Sequence, residues 1–510
     1  MMMRGVIKKG AYFDSITLMR VGKAVSSLPG VEDAAVVMGT HTNKDILKAS
    51  NLLLPEFEAA GDTDLLIAVK AGDEKGVQAA LAGVEDQLKE ATKKKSASGG
   101  EAARPSSLEA AVEVLPGANL AVISVAGRYA GEVARSALER GLHVMLFSDN
   151  VTLETEVELK TMARDKGLLV MGPDCGTAIV NGAPLAFANV APRGSIGVVA
   201  AAGTGLQEVT CLIANEGGGI SQALGTGGRD VKKEVGGLMF IEALKALAAD
   251  EQTRVILLVS KPPHPDVLKK IKQVIAGIKK PVVSMFLGDE SGQGPRTLEE
   301  AALTALALAR GPSASDVVPL LKSRSLEMKN AAAKLATRAK GRKYVRGLFS
   351  GGTFCAEAQV LFRDLGLKGV FSNAPTAGAA QLEDSLRSQQ HTVVDYGEDE
   401  FTVGRPHPMI DFSLRNRRIQ AEARDPQTAV ILLDVVLGFG SHPDPASELV
   451  PVIREAAAHV PVVCSVTGTD RDPQNRSKVA EALSQAGAVV MPSNAAASTM
   501  AGYIIQSLGG

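Results

Sequence analysis

The sequence runs to 510 residues, of which 45% are hydrophobic and 22% charged, with a formal net charge of -1. That is chain enough for about two to four globular domains. The balanced charge, the 4% aromatic content and the lack of Trp exclude nucleic acid as the natural partner and give no pull toward an anionic membrane.

The N-terminal stretch MMMRGVIKKGAYFDS has no apolar core of the secretory kind, and no apolar run reaches the ~18 residues of a spanning helix. A soluble, cytoplasmic chain is expected. Its four cysteines, Cys175, Cys211, Cys355 and Cys464, form no C-x-x-C pair, so neither a disulfide framework nor a metal site is expected.

Residues 1–90 alternate the strand-like AAVVM and DLLIAVKA with amphipathic LMRVGKAVSSL and KGVQAALAGVEDQL, which predicts a small α+β module of βαββαβ type. ATKKKSASGGEAARPSS, at 91–107, loses the apolar period and reads as a linker. From 108 onward, apolar runs alternate with helical segments: NLAVISVAG, HVMLFSD, LLVMG, IGVVAAAG, VILLVS and PVVSMFLG. Continuous apolar strands separated by helices predict parallel sheets covered on both faces, as two α/β domains over 108–195 and 196–310. A basic helical connection over 311–343 leads to a third α/β domain at 344–510, with strands VRGLF, TVVDYG, AVILLDVVLGFG, PVVCSVTG and AVVMPS.

Two strand-to-helix turns carry glycine. IGVVAAAGTGLQEV places Gly203, Thr204 and Gly205 at a helix start, and VRGLFSGGTFCAEA places Gly351, Gly352 and Thr353 at another. A helix start presents unpaired N–H groups and partial positive charge, which suits an anion. The alternative at the first turn is a capping box, with Thr204 capping and Gln207 reaching back. Two such starts can converge on one phosphate, which a single start cannot do.

The motifs LLVMGPDCGTAI and IGVVAAAGTGLQEV resemble the α subunit of succinyl-CoA synthetase, its Rossmann-like CoA-binding domain followed by a flavodoxin-like ligase domain. FSGGTFCAEA, VVDYGEDEF, VILLDVVLGFGSHPDPA and VVCSVTGTDRDPQNRSKVAEAL resemble, in matching order, the CoA-ligase domain of its β subunit. The resemblance covers about 400 residues. With the small N-terminal module and the fused halves, the sequence is most similar to the FdrA family. The resemblance implies phosphate-facing roles for Gly203, Thr204, Gly205, Gly351, Gly352 and Thr353. It puts Glu208 where the synthetase has the glutamate that holds its phosphohistidine, and Cys175 near the place of the CoA thiol. The alternative for Cys175 is a small buried residue after a Gly-Pro turn. The loop GFGSHPD, with Gly438, Gly440, Ser441, His442 and Asp444, ends a buried strand where ligands of open α/β sheets bind. There His442 is either a catalytic candidate or a loop surface residue.

Three departures redirect the expected activity. Where the synthetase carries phosphate on the histidine of a GHAGA motif, residues 286–303 read FLGDESGQGPRTLEEAAL and hold no histidine. The first strand of the CoA-binding-like domain leads into VAGRYAGEVARSAL rather than a glycine-rich loop, so tight CoA binding is not expected. No segment remains for an ATP-binding domain. The resemblance to the FdrA family therefore implies a subunit of an oxamate carbamoyltransferase in purine and allantoin breakdown. Its ligand would be carbamoyl phosphate or phosphate, with no certain cofactor and no metal. It would act as a homo-oligomer or beside other carbamoyltransferase subunits. The alternatives are an NDP-forming acyl-CoA synthetase subunit served by a partner chain, and a non-catalytic assembly subunit whose glycines only support folding.

Overall fold

The apolar runs form strands and the 3.6-period stretches form helices throughout the computed structural model. It describes all residues except 1, 12, 14, 27, 41–42, 45–46, 49–51, 62, 98–104, 106, 290–293, 312, 377, 403–404 and 510. Two compact units result: residues 1–114 with 399–406, and residues 115–398 with 407–510.

In the first unit, β1 (Met2–Lys8), α1 (Ser15–Ser26), β2 (Val31–Met38), β3 (Leu65–Ala71), α2 (Glu74–Ala97) and α3 (Leu108–Val114) follow in order. The sheet has the order β1-β3-β2 with both pairs antiparallel, and Val6 and Val36 both pair with Ile67. Leu18, Val21 and Val25 of α1 close a core with Ala80, Val84 and Leu88 of α2. Strand β1 escaped the sequence pattern because MMRGVIK interrupts its apolar residues with Arg4 and Gly5. The stretch expected to be a linker from residue 91 is helical as far as Ala97, since its Ala, Thr and Lys residues extend a helix already begun. The rest of that linker, at 98–104 and 106, lies outside the described residues.

The second unit holds three sheets. β4 (Leu120–Ile123), α4 (Gly127–Glu139), β5 (His143–Leu146), α5 (Leu153–Asp165) and β6 (Val170–Met171) build a parallel three-stranded sheet. Next come the hairpin β7 (Thr177–Val180) and β8 (Ala183–Ala186), β9 (Arg193–Ala201), α6 (Gly203–Asn215), β10 (Ile220–Gly225) and α7 (Leu238–Ala249). They are followed by β11 (Val255–Ser260), α8 (Pro265–Ala276), β12 (Val282–Phe286) and α9 (Leu298–Arg310). The six strands take the order β12-β11-β9-β10-β7-β8.

The expected boundary at 195 is thereby corrected, because β7 and β8 belong to this sheet, through β7 pairing antiparallel with β10. Asn181 and Gly182, with φ of 50° and 80°, make the tight turn that folds TAIVNGAPLA back on itself.

Helix α10 (Val317–Ala336) then leads to β13 (Tyr344–Phe349), α11 (Gly352–Asp364), β14 (Val370–Ser372), β15 (Ala380–Gln381) and β16 (His391–Asp395). The chain ends with α12 (Ser413–Arg424), β17 (Thr428–Val436), α13 (Pro445–Ala457), β18 (Val462–Thr467), α14 (Arg476–Gln485), β19 (Ala488–Met491) and α15 (Asn494–Ser507). All seven strands are parallel, in the order β15-β14-β16-β13-β17-β18-β19. The protein is a multidomain α/β chain built on parallel sheets, as its sequence pattern indicated.

One hydrophobic core joins the six- and seven-stranded sheets. It takes Leu206 and Val209 from α6, Ala301 and Ala305 from α9, Phe354 and Phe362 from α11, and Ala497 and Ile504 from α15. Burial of this shared apolar surface holds the starts of those four helices in fixed relation.

Candidate functional site

Strand β9 runs into α6 through Ala202, and β13 runs into α11 through Ser350 and Gly351. Neither helix has a side-chain cap. The capping box expected at Thr204 does not form, because the N-cap is Ala202 and Gln207 turns aside to Asn189 Oδ1 at 3.0 Å. The amides of Gly203, Thr204 and Gly205, and those of Gly352 and Thr353, have no hydrogen-bond partner among the described residues.

The two helix starts abut. A Cβ on Gly205 would stand 3.0 Å from Thr353 Cγ2, and one on Gly351 would stand 2.9 Å from Thr204 Oγ1. Two positive helix ends are thereby set side by side.

The space around these ends is uneven. A Cβ on Gly203 would meet nothing within 4 Å, whereas one on Gly352 would lie 2.5 Å from Asp395 Oδ2 and 3.6 Å from Lys261 Nζ. Lys261 follows β11 and Asp395 ends β16, so both stand at the carboxyl ends of parallel strands, where such sheets bind ligands. Burial lifts the Asp395 carboxyl to about 7, against the opposing pull of Lys261 and of the Gly397 N–H, which donates to Oδ1 at 2.8 Å. Asp395 can thus exchange a proton near neutrality.

Glu208 is 2% exposed and both of its oxygens are engaged. Oε1 accepts from the backbone N–H of Asn494 at 2.9 Å and Oε2 from Thr467 Oγ1 at 2.5 Å. Glu357, which the sequence reading missed, does the converse. Its Oε1 accepts from the N–H of Leu298 at 2.8 Å, and its Oε2 from Asn494 Nδ2 at 2.7 Å. Glu208 on α6 therefore caps α15, and Glu357 on α11 caps α9.

Glu299 completes the cluster by accepting from Ser493 Oγ at 2.7 Å and pairing with Arg324 at 3.0 Å. Burial raises the carboxyls of both Glu208 and Glu357 to about 7. The signal for Glu357 was in the sequence, since Gly-Thr-x-x-x-Glu occurs at 203–208 and again at 352–357.

The other expected site residues fall into structural places. Cys175 is buried, its thiol facing Thr177 O and Gly225 O, and burial pushes it up to about 12, so no thiolate is available at neutral pH. Gly438 gives its N–H to Gln474 Oε1, and a Cβ there would strike Ala188 O at 2.5 Å. One on Gly440 would strike the Phe187 ring at 2.8 Å. With φ of 108° and 82°, these two glycines allow a close backbone approach that a side chain would prevent.

Asp444 caps α13 by accepting from the N–H of Ser447 at 3.2 Å. His442 is half-buried, accepts at Nδ1 from the N–H of Asp444 at 3.1 Å, and meets the Phe412 ring edge-on at 5.6 Å. Ser441 is buried and its Oγ has no partner among the described residues. A separate cleft beside Pro192, Arg193, Arg310 and Arg471 contains none of these groups.

The paired helix starts stand at the carboxyl ends of parallel strands in two neighbouring sheets, and a CoA-ligase family model matches residues 348–504, which include the second of them. A second model, described as "AllF, heavy metal-associated domain", matches residues 1–105. "Uncharacterized protein YahF" of Escherichia coli (strain K12) is 42% identical over 509 residues, covering 96% of each chain. The chain belongs to the same family as that protein.

Succinate–CoA ligase [ADP-forming] subunit alpha 1 of Archaeoglobus fulgidus is 28% identical over 183 residues, which span 35% of this chain and 61% of that subunit. The solved dinucleotide-forming acetyl-coenzyme A synthetase 1 of Ca. Korarchaeum cryptofilum matches over 78% of this chain and 85% of its own, at 16% identity and a TM-score of 0.30. Residues 1–105 contain no cysteine thiol and a single histidine, and no group of three or more His, Cys, Asp or Glu residues placed to hold a metal ion occurs among the described residues.

Proposed function

We propose that the chain is a carbamoyltransferase subunit that binds carbamoyl phosphate at the joined starts of α6 and α11 and exchanges its carbamoyl group with an oxamate-type amide. The observation that carries this reading is the meeting of two helix ends with free amides beside Lys261 and Asp395. Two helix dipoles and one ammonium balance a phosphate dianion, and they act most strongly on charge gathering on the departing phosphate. The acceptor nitrogen bonds to the carbamoyl carbon as the C–O bond to phosphate breaks. The nitrogen loses its proton to Asp395, and inorganic phosphate leaves. Positioning of the two reactants and charge stabilisation then supply the rate enhancement.

Two further features support a transfer that needs neither phosphohistidine nor CoA. Glu208, at the place of the synthetase's histidine-holding glutamate, is occupied as a cap of α15, and residues 286–303 contain no imidazole. At the turn after β4, the N–H of Val125 is taken by Ser148 Oγ, and a Cβ on Gly127 would lie 2.2 Å from Asp149 O, which leaves no open glycine cradle for a CoA phosphate. The similarity to succinate–CoA ligase α subunits favours a second reading, an acyl-CoA synthetase subunit working with a nucleotide-binding partner.

The deciding experiment incubates the protein and its purified partner subunits with oxalurate and phosphate. Formation of carbamoyl phosphate supports transfer. Formation of an acid-labile, alkali-stable phosphoprotein from ATP or from succinyl-CoA and phosphate would favour the synthetase.

A further inference from the structure

Three arginine side chains are buried among the described residues, and they are not treated alike. Arg346 donates Nε to Glu422, Nη1 to Gln390 O and Nη2 to Asp425. Arg418 likewise engages Glu422, Ser385 O and Ser388 Oγ. Arg415, on α12, is 1% exposed and uses only Nη1, which donates to Asp434 Oδ1 at 2.7 Å and Asp434 O at 2.9 Å. Its Nε and Nη2 have no hydrogen-bond partner among the described residues. Buried donors are rarely left unpaired in folded proteins, because their lost hydration is not returned by any bond.

The two free nitrogens form one edge of the guanidinium, the edge that presents two parallel N–H groups. Elsewhere in this chain that edge holds a carboxylate, since Arg135 Nε and Nη2 each donate to Glu158 at 2.9 Å. Arg415 is also fixed in place, with its guanidinium 5.1 Å from the centre of the Phe412 ring. Its partner Asp434 accepts from the N–H and Oγ of Ser350 and from the N–H of Gly351, the residues that lead into α11. Four donors thus spread the Asp434 charge, so a second carboxylate on the far edge of Arg415 is tolerated. The loop at 438–444 packs on the same ground, His442 donating its N–H to Met409 O at 2.9 Å. Both free nitrogens are closed off from solvent, so only a ligand taken inside the fold could reach them.

We propose that the Nε–Nη2 edge of Arg415 binds the carboxylate of the group-accepting substrate, a small planar acid carrying an amide, one carboxylate bridge away from the phosphate-facing start of α11. The proposal rests on the transfer reading for the role of that ligand, though not for its binding.

Titration calorimetry with sodium oxamate, and separately with inorganic phosphate, tests it in the full-length protein. Arg415→Lys keeps a cation beside Asp434 and removes the fork, so oxamate should bind at least about tenfold more weakly while phosphate affinity stays within about twofold. Unchanged oxamate affinity would overturn the proposal, and so would an equal loss for both ligands. Should the lysine variant melt below the assay temperature, the arginine Nε–H resonances of the 15N-labelled wild type decide. A buried Nε–H signal must shift as oxamate saturates, and a spectrum that does not respond rejects the site. Oxamate bound through Arg415 without carbamoyl transfer would sink the transferase reading alone, whereas transfer that survives Arg415→Lys at unchanged oxamate KM would sink this proposal alone.

Discussion

Glu208 stands at a strand-to-helix turn, and its carboxyl caps another helix. Its position was legible because Gly-Thr-Gly-Leu-Gln-Glu sits at a strand-to-helix turn. Its partners, Thr467 and Asn494, lie too far along the chain to be inferred. For the same reason Lys261 and Asp395 gave no signal, as only folding brings them to Gly352. Glu208→Gln keeps shape and one acceptor, so carbamoyl transfer should stay within about threefold of wild type. Glu208→Ala leaves the Asn494 N–H and Thr467 hydroxyl without acceptors in the core, and a chemical melt should record a loss of about 1–3 kcal/mol. Asp395 should behave in the opposite way. Its proton exchange near neutrality predicts a limb near pH 7 in the transfer rate, and Asp395→Asn should lower the rate by ~100-fold or more and abolish that limb. A persisting limb would assign the proton to another group.

At the scale of elements, the long apolar strands β9, β11, β13, β17 and β18 were readable because burial on both faces leaves an unbroken apolar run. The short strands β8, β14 and β15 and the polar-interrupted β10 were not, since two to six residues of mixed character carry no period. The two glycine-led helix starts also differ in a way that sequence could not rank. Valine at Gly203 enters open space, so Gly203→Val should leave the melting temperature nearly unchanged while blocking anion approach. Valine at Gly351 meets Phe354 and Thr204 at 2.9 Å, so Gly351→Val should lower the melting temperature as well as the activity. Calorimetric melts beside transfer assays separate the two, and a large destabilisation by Gly203→Val would give that glycine a structural role.

For the whole molecule, the crossed caps make stability depend on pH. Glu208 and Glu357 titrate near 7 when folded against an ordinary value of 4.5, so the native state holds protons that the unfolded chain releases. Their contribution is full below about pH 4.5 and is lost as pH rises toward 7. His391 and His407, held down to about 4 by burial, act in the other sense and cost stability as pH falls from 6.5 toward 4. The carboxyl effect is isolated by comparison with Glu208→Gln, whose amide stays neutral. The unfolding free energy of wild type relative to this variant should fall between pH 5 and pH 8, by an amount on the order of 2 kcal/mol. A difference that is flat with pH would mean that Glu208 is ionised throughout.

The central claim, that the joined starts of α6 and α11 form one phosphate site, is tested most directly by calorimetric titration of wild type and Gly203→Val with carbamoyl phosphate. The account predicts saturable one-to-one binding to wild type and at least about tenfold weaker binding to a variant that melts at the same temperature. Equal affinity of the two proteins would contradict it.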